Sequence, residues 1–165
     1  MRILPLSPAV LLIGIVALTT AIAARPSSAL QSVERAVPAS GQPTLYERLG
    51  GYDFIARLVD TAFPRVASHP DLNRLFRGHS KDSQMRQRQL IVDVLCRETG
   101  GPCFYTGRPL PAVHEGLGIT DDDWMTFMGV IGSALADLDV PQRERTELLE
   151  LFEERLRATV VLDGS

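Results

Sequence analysis

Between Tyr52 and Ala67 the apolar side chains recur at intervals of three and four residues, and this spacing limits the possible folds more than any other feature of the chain. The residues concerned are Phe54, Ile55, Leu58, Val59, Ala62, Phe63 and Val66. An α-helix places such residues on one face, whereas a strand would alternate them between two faces. The segment is therefore predicted to be an amphipathic helix, with a kink at Pro64.

Similar patterns predict helices through most of the sequence that follows. Longer helices are expected over about 83–97, 120–137 and from 139 onward, and shorter ones near 44–49, 71–76 and 111–115. Asp71 is expected to cap the short helix that ends near Phe76. Clusters of glycine and proline, such as Gly100-Gly101-Pro102, separate these segments. No segment has the alternating pattern of a strand, so the prediction is an all-α domain.

The first 43 residues have a different composition. Residues 1–24 combine one early basic residue with an uncharged apolar stretch that ends in Ala21-Ile22-Ala23. This pattern is typical of a secretory signal peptide, and an uncleaved membrane anchor is the alternative. Residues 25–43 are rich in serine, proline and alanine and are predicted to be a flexible linker. We therefore expect an exported protein, periplasmic or extracellular, or else anchored and facing the periplasm, with a folded domain over 44–161.

Charge and cysteine content limit the classes of function. The formal net charge is −3 and the basic residues form no run, so no nucleic-acid partner is predicted, and a membrane partner is expected only if the N-terminal segment stays uncleaved. Cys96 and Cys103 lie seven residues apart and could form a disulfide or remain buried thiols. The chain has no Gly-x-Ser-x-Gly motif and no other hydrolase signature.

One of the three histidines has the sequence context of a ligand. His69 precedes a proline at a helix end and His79 lies in a glycine-serine loop, so both are expected to face solvent. His114 instead follows a short apolar turn that prolines make rigid. A haem iron needs a neutral imidazole held in one orientation, which such a turn can provide.

Five segments occur in an order and at spacings that resemble those of group I truncated haemoglobins. They are YERLGG (46–51), LFRG (75–78), TGGP (99–102), YTGR (105–108) and HEGLGIT (114–120). The resemblance covers about residues 44–160. The version of the motifs found over residues 96–108 is similar to that of a bacterial branch of the family, whose members often carry signal peptides. It implies a globin-like, truncated two-over-two helical sandwich around haem b.

The resemblance also implies roles for individual residues. His114 would be the proximal iron ligand, Phe76 would pack against the haem, and Arg108 would pair with a haem propionate, if it is not simply solvated. Many family members have a tyrosine donor where this chain has Phe63, which cannot donate a hydrogen bond. The remaining lining residues would be Tyr105, Leu110, Val113 and Phe127.

The distal helix has an uncertain register, because the loop before it is about three residues longer than is usual in the family. Counting back from Gly100 places Gln87 and Ile91 toward the iron, whereas counting forward from the 75–78 motif places Gln84 and Arg88 there. The stripe of Ile91, Val94 and Leu95 shares a face with Gln87 and favours the first register. Gln87 would then hydrogen-bond a bound ligand, and the alternative is that it is an ordinary exposed residue.

The function expected from these features is reversible binding of dioxygen or another diatomic gas at haem iron, with nitric-oxide scavenging or redox activity as further outcomes. Redox turnover would need an electron donor, since the chain has no flavin or nicotinamide motif. A ligand-binding protein is therefore favoured over a dedicated enzyme. The alternative is a haem-free helical interaction domain on a globin scaffold.

Overall fold

The computed structural model of the protein describes residues 41–161. The predicted signal peptide or anchor (1–24) and most of the predicted linker (25–43) lie outside the described residues. Helices and loops make up the described part, in which no strand occurs. No helix among residues 41–161 has the length and apolar character needed to cross a membrane.

The described part contains α-helices, a 3₁₀ turn and a π-helical segment. The elements are α1 (Leu45–Leu49), α2 (Gly51–Ser68), the 3₁₀ turn (Asn73–Phe76), α3 (Lys81–Glu98), α4 (Leu110–His114), α5 (Asp121–Asp137), α6 (Gln142–Leu151), the π segment (Phe152–Leu156) and α7 (Arg157–Val160).

Side-chain caps fix the starts of several helices. Thr44 and Thr120 each accept a hydrogen bond from a backbone N–H three residues later, and Glu47 and Asp123 return the bond to the backbone N–H of the capping threonine. Ser80 caps α3, which begins two residues before the predicted start. These bonds satisfy N–H groups that have no partner inside the helix.

The expectation that Asp71 caps the short helix after α2 is wrong. Asp71 does not cap the 3₁₀ turn, whose preceding residue Leu72 makes no side-chain cap. The Asp71 carboxylate instead lies 3.7 Å from Nδ1 of His69, beyond hydrogen-bond distance. Helix α2 runs over 18 residues with Pro64 inside it, as expected, and the kink at this proline stays a prediction.

Helix α2 lies at the centre of the packing. It contacts α3 and α5, while α5 also contacts α6, and α4 contacts α7. Apolar side chains from these helices form one core, whose most deeply buried large members are Ile55, Leu58, Leu135, Leu148 and Val92. Burial of each such side chain contributes roughly 1.5–3 kcal/mol.

Cys96 and Cys103 form a disulfide, with their Cα atoms 5.7 Å apart. This observation decides between the two states that the sequence left open. The bond joins the last turn of α3 to the loop that leads into α4. It therefore links the helix that carries Gln87 to the segment that precedes His114.

Candidate functional site

A cavity of about 540 Å³ lies among α2, α3, α4, α5 and the C-terminal helical segment. Its lining is mainly aliphatic and aromatic, with few polar groups. Cofactor and small-molecule sites in proteins have this character and occupy about 300–1,000 Å³.

All the site residues predicted from the sequence lie on this one cavity. Helices α2 and α3 and the 3₁₀ turn supply those on one side, and the loop after α3 together with α4 and α5 supplies the others. The residues are Phe63, Phe76, Gln87, Ile91, Tyr105, Arg108, Leu110, Val113, His114 and Phe127.

His114 is the last residue of α4, and its imidazole is oriented by the helix itself. Nδ1 lies 2.8 Å from the carbonyl oxygen of Leu110, which can only accept a hydrogen bond. The neutral ring therefore carries its proton on Nδ1 and leaves the Nε2 lone pair free. Burial lowers the pKa of His114, although the hydrogen bond to Leu110 acts in the opposite direction. The imidazole is thus neutral near pH 7, as a metal ligand must be.

Gln87 faces the cavity from α3 with an unsatisfied amide. Its Oε1 atom is buried and has no hydrogen-bond partner among the described residues. Rotating the amide by half a turn exchanges its oxygen for its NH₂ group, so the same position can offer an acceptor or a donor. Buried polar groups without partners are uncommon and often mark functional positions.

The residues that the alternative register of α3 placed toward the iron do not face the cavity. Gln84 and Arg88 do not line the cavity and instead border a second hollow between α2 and α3. The Arg88 guanidinium donates to both carboxylate oxygens of Asp60, at 2.7 and 2.8 Å. Its hydrogen bonds lower the pKa of Asp60. Arg88 is therefore engaged in joining α3 to α2.

Phe63 and Phe76 form an aromatic edge to the cavity on the side of Gln87. Their ring centroids are 5.7 Å apart and their planes are nearly perpendicular. The ring of His79 makes a similar contact with Phe76 at 6.3 Å. Neither phenylalanine can donate a hydrogen bond to a small molecule in the cavity, whereas the Gln87 amide on α3 can.

Another part of the cavity wall is a row of three aromatic side chains with tilted rings. Trp124 lies 5.4 Å from Phe127, which lies 5.8 Å from Phe152. The indole Nε1 of Trp124 donates to Glu153 at 2.6 Å and so fixes the tryptophan ring. Sequence reasoning did not assign Trp124 to the site, although its position three residues before Phe127 on one helix face was the available signal.

Tyr105 is held against the cavity by its own loop. Its hydroxyl donates to the carbonyl oxygen of Arg108 at 2.7 Å, and the guanidinium of Arg97 lies 5.5 Å from its ring centroid. A Cβ atom at Gly107 would overlap the end of the Tyr105 side chain, so a substitution there would have to displace the Tyr105 ring.

Exposed basic residues border the cavity. His79, Arg86 and Arg108 all contribute to its lining, and none of them makes a salt bridge within residues 41–161. The acidic lining residue Asp123 is buried and bonded to Thr120 and Arg74, so its charge is balanced. His79 and Arg86 were missed because an exposed loop residue and a polar helix residue have no distinctive sequence pattern.

The comparisons with known proteins agree with this arrangement. A family model described as bacterial-like globin matches residues 44–161. The chain is 31% identical over 120 residues to the group 1 truncated hemoglobin GlbN of Mycolicibacterium paratuberculosis, covering 73% of this chain and 83% of that protein. It is 37% identical over 90 residues to the group 2 truncated hemoglobin YjbI of Bacillus subtilis, covering 50% and 64%. The structure superposes on the 2/2 hemoglobin of Synechococcus sp. PCC 7002 with a TM-score of 0.65 and 25% identity, covering 73% and 100%.

Proposed function

Because the chain belongs to the bacterial-like globin family and has the all-helical 2/2 fold of truncated haemoglobins, we propose that it binds haem b through His114 and reversibly binds a diatomic gas. Haem supplies an iron that coordinates diatomic molecules when it is bound. The observation that carries the proposal is the free Nε2 atom of His114 on an apolar cavity.

The residues present fit this cofactor in three respects. The cavity is large and apolar enough for a flat, mainly hydrocarbon macrocycle. Its border carries unpaired basic side chains that suit the two carboxylates of haem, with Arg108 and Arg86 able to bind them in fork geometry. The buried Oε1 atom of Gln87 lacks a hydrogen-bond partner among residues 41–161.

His114 and Gln87 have complementary roles in this proposal. The carbonyl of Leu110 fixes the imidazole tautomer and orientation, which makes Nε2 available and raises its basicity. Gln87 can donate one hydrogen bond to a small ligand in the half of the cavity that it shares with Phe63 and Ile91. A hydrogen bond to a charged acceptor contributes roughly 1.5–3 kcal/mol. Ligand retention therefore depends on a single amide.

We further assign the chain to group I and propose that it is exported. The relative from Mycolicibacterium paratuberculosis supports the group, and the composition of residues 1–24 supports the export. Nitric-oxide scavenging or other redox turnover would require an electron donor outside this chain, since its sequence has no flavin or nicotinamide motif.

An absorption spectrum tests the haem site. Purified protein reconstituted with haem is expected to show a Soret band and a shifted band on addition of carbon monoxide. His114→Ala should lose or strongly alter both bands, whereas the matched control His69→Ala, at the end of α2, should not. Circular dichroism of each variant verifies that the helices remain folded. A His114→Ala spectrum identical to that of the parent contradicts the assignment.

Export has its own measurement. The full chain is expressed in a bacterial host, the cell is fractionated, and the mass of the recovered protein is determined. We expect a periplasmic product that begins near residue 25. An uncut chain in the membrane fraction would support the anchor, and an uncut chain in the cytoplasm would refute export.

A further inference from the structure

The segment from Pro102 to Arg108 connects α3 to α4 without backbone hydrogen bonds to any other element. None of its backbone N–H or carbonyl groups bonds to a residue outside the segment within the described part of the chain. Its internal hydrogen bond runs from the Tyr105 hydroxyl to the carbonyl oxygen of Arg108. A segment with so few hydrogen bonds opens easily unless its side chains restrain it.

The Cys96–Cys103 disulfide is the covalent restraint on this segment. The guanidinium of Arg97, an exposed residue, also lies over the Tyr105 ring, but such a contact is weak when it is exposed. Tyr105 lines the cavity two residues after the disulfide, and the segment leads into α4, which ends at His114. The disulfide therefore restrains the part of the cavity wall that precedes the proposed iron ligand.

The two sulfur atoms of the bond differ in their access to solvent. Cys96 is 0% exposed, and Gly101 and Tyr46 cover it: a Cβ atom built on Gly101 would lie 2.7 Å from Sγ of Cys96 and 2.6 Å from the Tyr46 ring. Cys103 is half-buried and is followed by Phe104, which is 87% exposed. A thiolate that approaches from solvent therefore reaches Sγ of Cys103 first.

We propose that the Cys96–Cys103 bond is a thiol–disulfide exchange site for a protein dithiol and that its reduction loosens the hold of the cavity on haem. The second half of this proposal rests on the proposed haem function. Exchange proceeds by attack of a thiolate on a disulfide sulfur, through a mixed disulfide.

The exchange needs no reactant besides the partner's two thiols. One partner thiolate bonds to Sγ of Cys103, the Cys96–Cys103 bond breaks, and Cys96 leaves as a thiolate that takes up a proton. The second partner thiolate then attacks its own mixed disulfide and releases Cys103 as a thiol. Two electrons and two protons pass to this chain, and the partner is left with a disulfide. In an oxidising compartment the bond stays formed, which agrees with the proposed export.

A protein is favoured over a small thiol as the partner because of Phe104. Its ring is the most exposed large apolar side chain in the part of the chain that the structure describes, and it is adjacent to the accessible sulfur of Cys103. A protein surface can bury this ring during the attack, whereas a small dithiol gains nothing from it. Phe104→Ser should therefore slow reduction by a protein dithiol and leave reduction by dithiothreitol unchanged.

The size of the effect on the cavity follows from the short loop that the bond closes. For a sequence separation of 7, the chain-entropy relation gives a restraint of roughly 10- to 100-fold on opened states. Once the bond is reduced, the Tyr105 ring can leave the cavity wall together with its segment. We expect haem to leave the reduced protein about ten times faster than the oxidised one.

The exchange site is tested by trapping. Oxidised protein is mixed with a thioredoxin whose second active-site cysteine is replaced by serine, and the mixed disulfide is mapped by mass spectrometry of its peptides. We expect the adduct on Cys103. With intact thioredoxin, Phe104→Ser should be reduced several-fold more slowly than the parent, and with dithiothreitol at the same rate. An adduct on Cys96 alone, or equal rates with thioredoxin, would overturn the assignment of the site and its partner.

The restraint is tested without haem by limited proteolysis. Chymotrypsin cleaves after Phe104 and Tyr105, and the reductant is removed before the protease is added. We expect cleavage about ten times faster in the reduced haem-free protein than in the oxidised one, and equally fast in the variant Cys96→Ser with Cys103→Ser. Circular dichroism verifies that each form keeps its helices. Equal cleavage of the oxidised and reduced forms would show that other contacts hold the segment, and the proposal would be wrong.

Transfer of haem to a scavenger protein tests the link to the cavity. The reduced parent and the double serine variant should both release haem about ten times faster than the oxidised parent, and reductant should not change the variant. If reduction speeds cleavage but not haem release, the bond restrains the loop without affecting the cofactor, and that half of the proposal fails. If the parent takes up no haem, the proposed function fails, whereas trapping and cleavage still decide the exchange site.

Discussion

Replacing Gln87 with leucine should make the haem-free protein more stable and also make the haem-loaded protein release dioxygen faster. In the haem-free protein the Oε1 atom of Gln87 is buried and finds no hydrogen-bond partner within 41–161, and such an atom costs roughly 1–3 kcal/mol. Leucine has a similar size and helix propensity and brings no polar atom into the cavity. We expect the lower part of this range, about 1 kcal/mol, because the cavity opens toward solvent near Arg86.

The same substitution removes the amide that can hold a ligand. Loss of one hydrogen bond to a charged acceptor, worth about 1.5–3 kcal/mol, raises the dissociation rate of dioxygen roughly 10- to 150-fold. The association rate should change much less, because the amide acts after the ligand has entered. Stability and ligand retention therefore move in opposite directions in one variant.

Thermal unfolding and stopped-flow kinetics measure the two effects. A gain of about 1 kcal/mol corresponds to a rise in Tm of about 3–5 °C in a domain of this size. Gln84→Leu is the matched control, since it makes the same chemical change one turn earlier on α3 but outside the cavity. It should leave both quantities near those of the parent. A Gln87→Leu protein that is less stable, or that releases dioxygen at the parental rate, would refute the assignment of Gln87 as the unpartnered distal amide.

Three further substitutions test the supports of the cavity. Cys96→Ser with Cys103→Ser should lower the free energy of unfolding by about 2–3 kcal/mol from the entropy of loop closure, as measured by urea unfolding, and reductant should bring the parent to the same value. Burial opposes the ionisation of Asp123, but its hydrogen bonds with Thr120 and its ion pair with Arg74 together lower its pKa. The ionised carboxylate therefore stabilises the folded state above the unfolded pKa of about 3.9, and this stabilisation is lost as pH falls through the lower pKa of the folded state. Urea unfolding of Asp123→Asn should therefore show a weaker dependence on pH below about 4 than the parent, and an identical dependence would contradict this role. Gly107→Ala should displace the Tyr105 ring from the cavity wall and lower haem affinity, as measured by transfer of haem to a scavenger protein, and an unchanged transfer rate would mean that the loop adapts.

Most of the helical architecture follows from local sequence, as the particular elements show. The three- and four-residue spacing over 52–67 predicted α2, and the structure places that helix at Gly51–Ser68. Thr120 and the acidic residues after it predicted the start of α5. Capping and amphipathic periodicity act over one or two turns of helix, so they are visible in the sequence without knowledge of the tertiary packing. Asp71 shows the limit of such signals. Its residue type suits a helix cap, but the 3₁₀ turn begins after Leu72 and has no side-chain cap.

The site required more than local information. The motif resemblance indicated His114 and the aromatic lining, but the register of α3 depended on a loop whose length differs from that of the family. The packing of α3 in the fold decided it, because the face of α3 that lines the cavity carries Gln87, whereas Gln84 lies on the second hollow between α2 and α3. The cavity lining also includes His79, Arg86 and Trp124. These residues lie together only because the fold brings separate helices and loops next to one another.

The sequence by itself determined the helices, their caps and the histidine on its rigid turn, because each depends on residues that are neighbours in the chain. Only the tertiary structure decided that Cys96 and Cys103 are bonded and that Oε1 of Gln87 is buried with no hydrogen-bond partner in the described part of the chain. It also decided that Phe63 and Val59 line both the cavity and the surface hollow between α2 and α3. The physical reason is that burial and access are properties of surfaces formed between helices. No single segment of the chain contains both sides of such a surface.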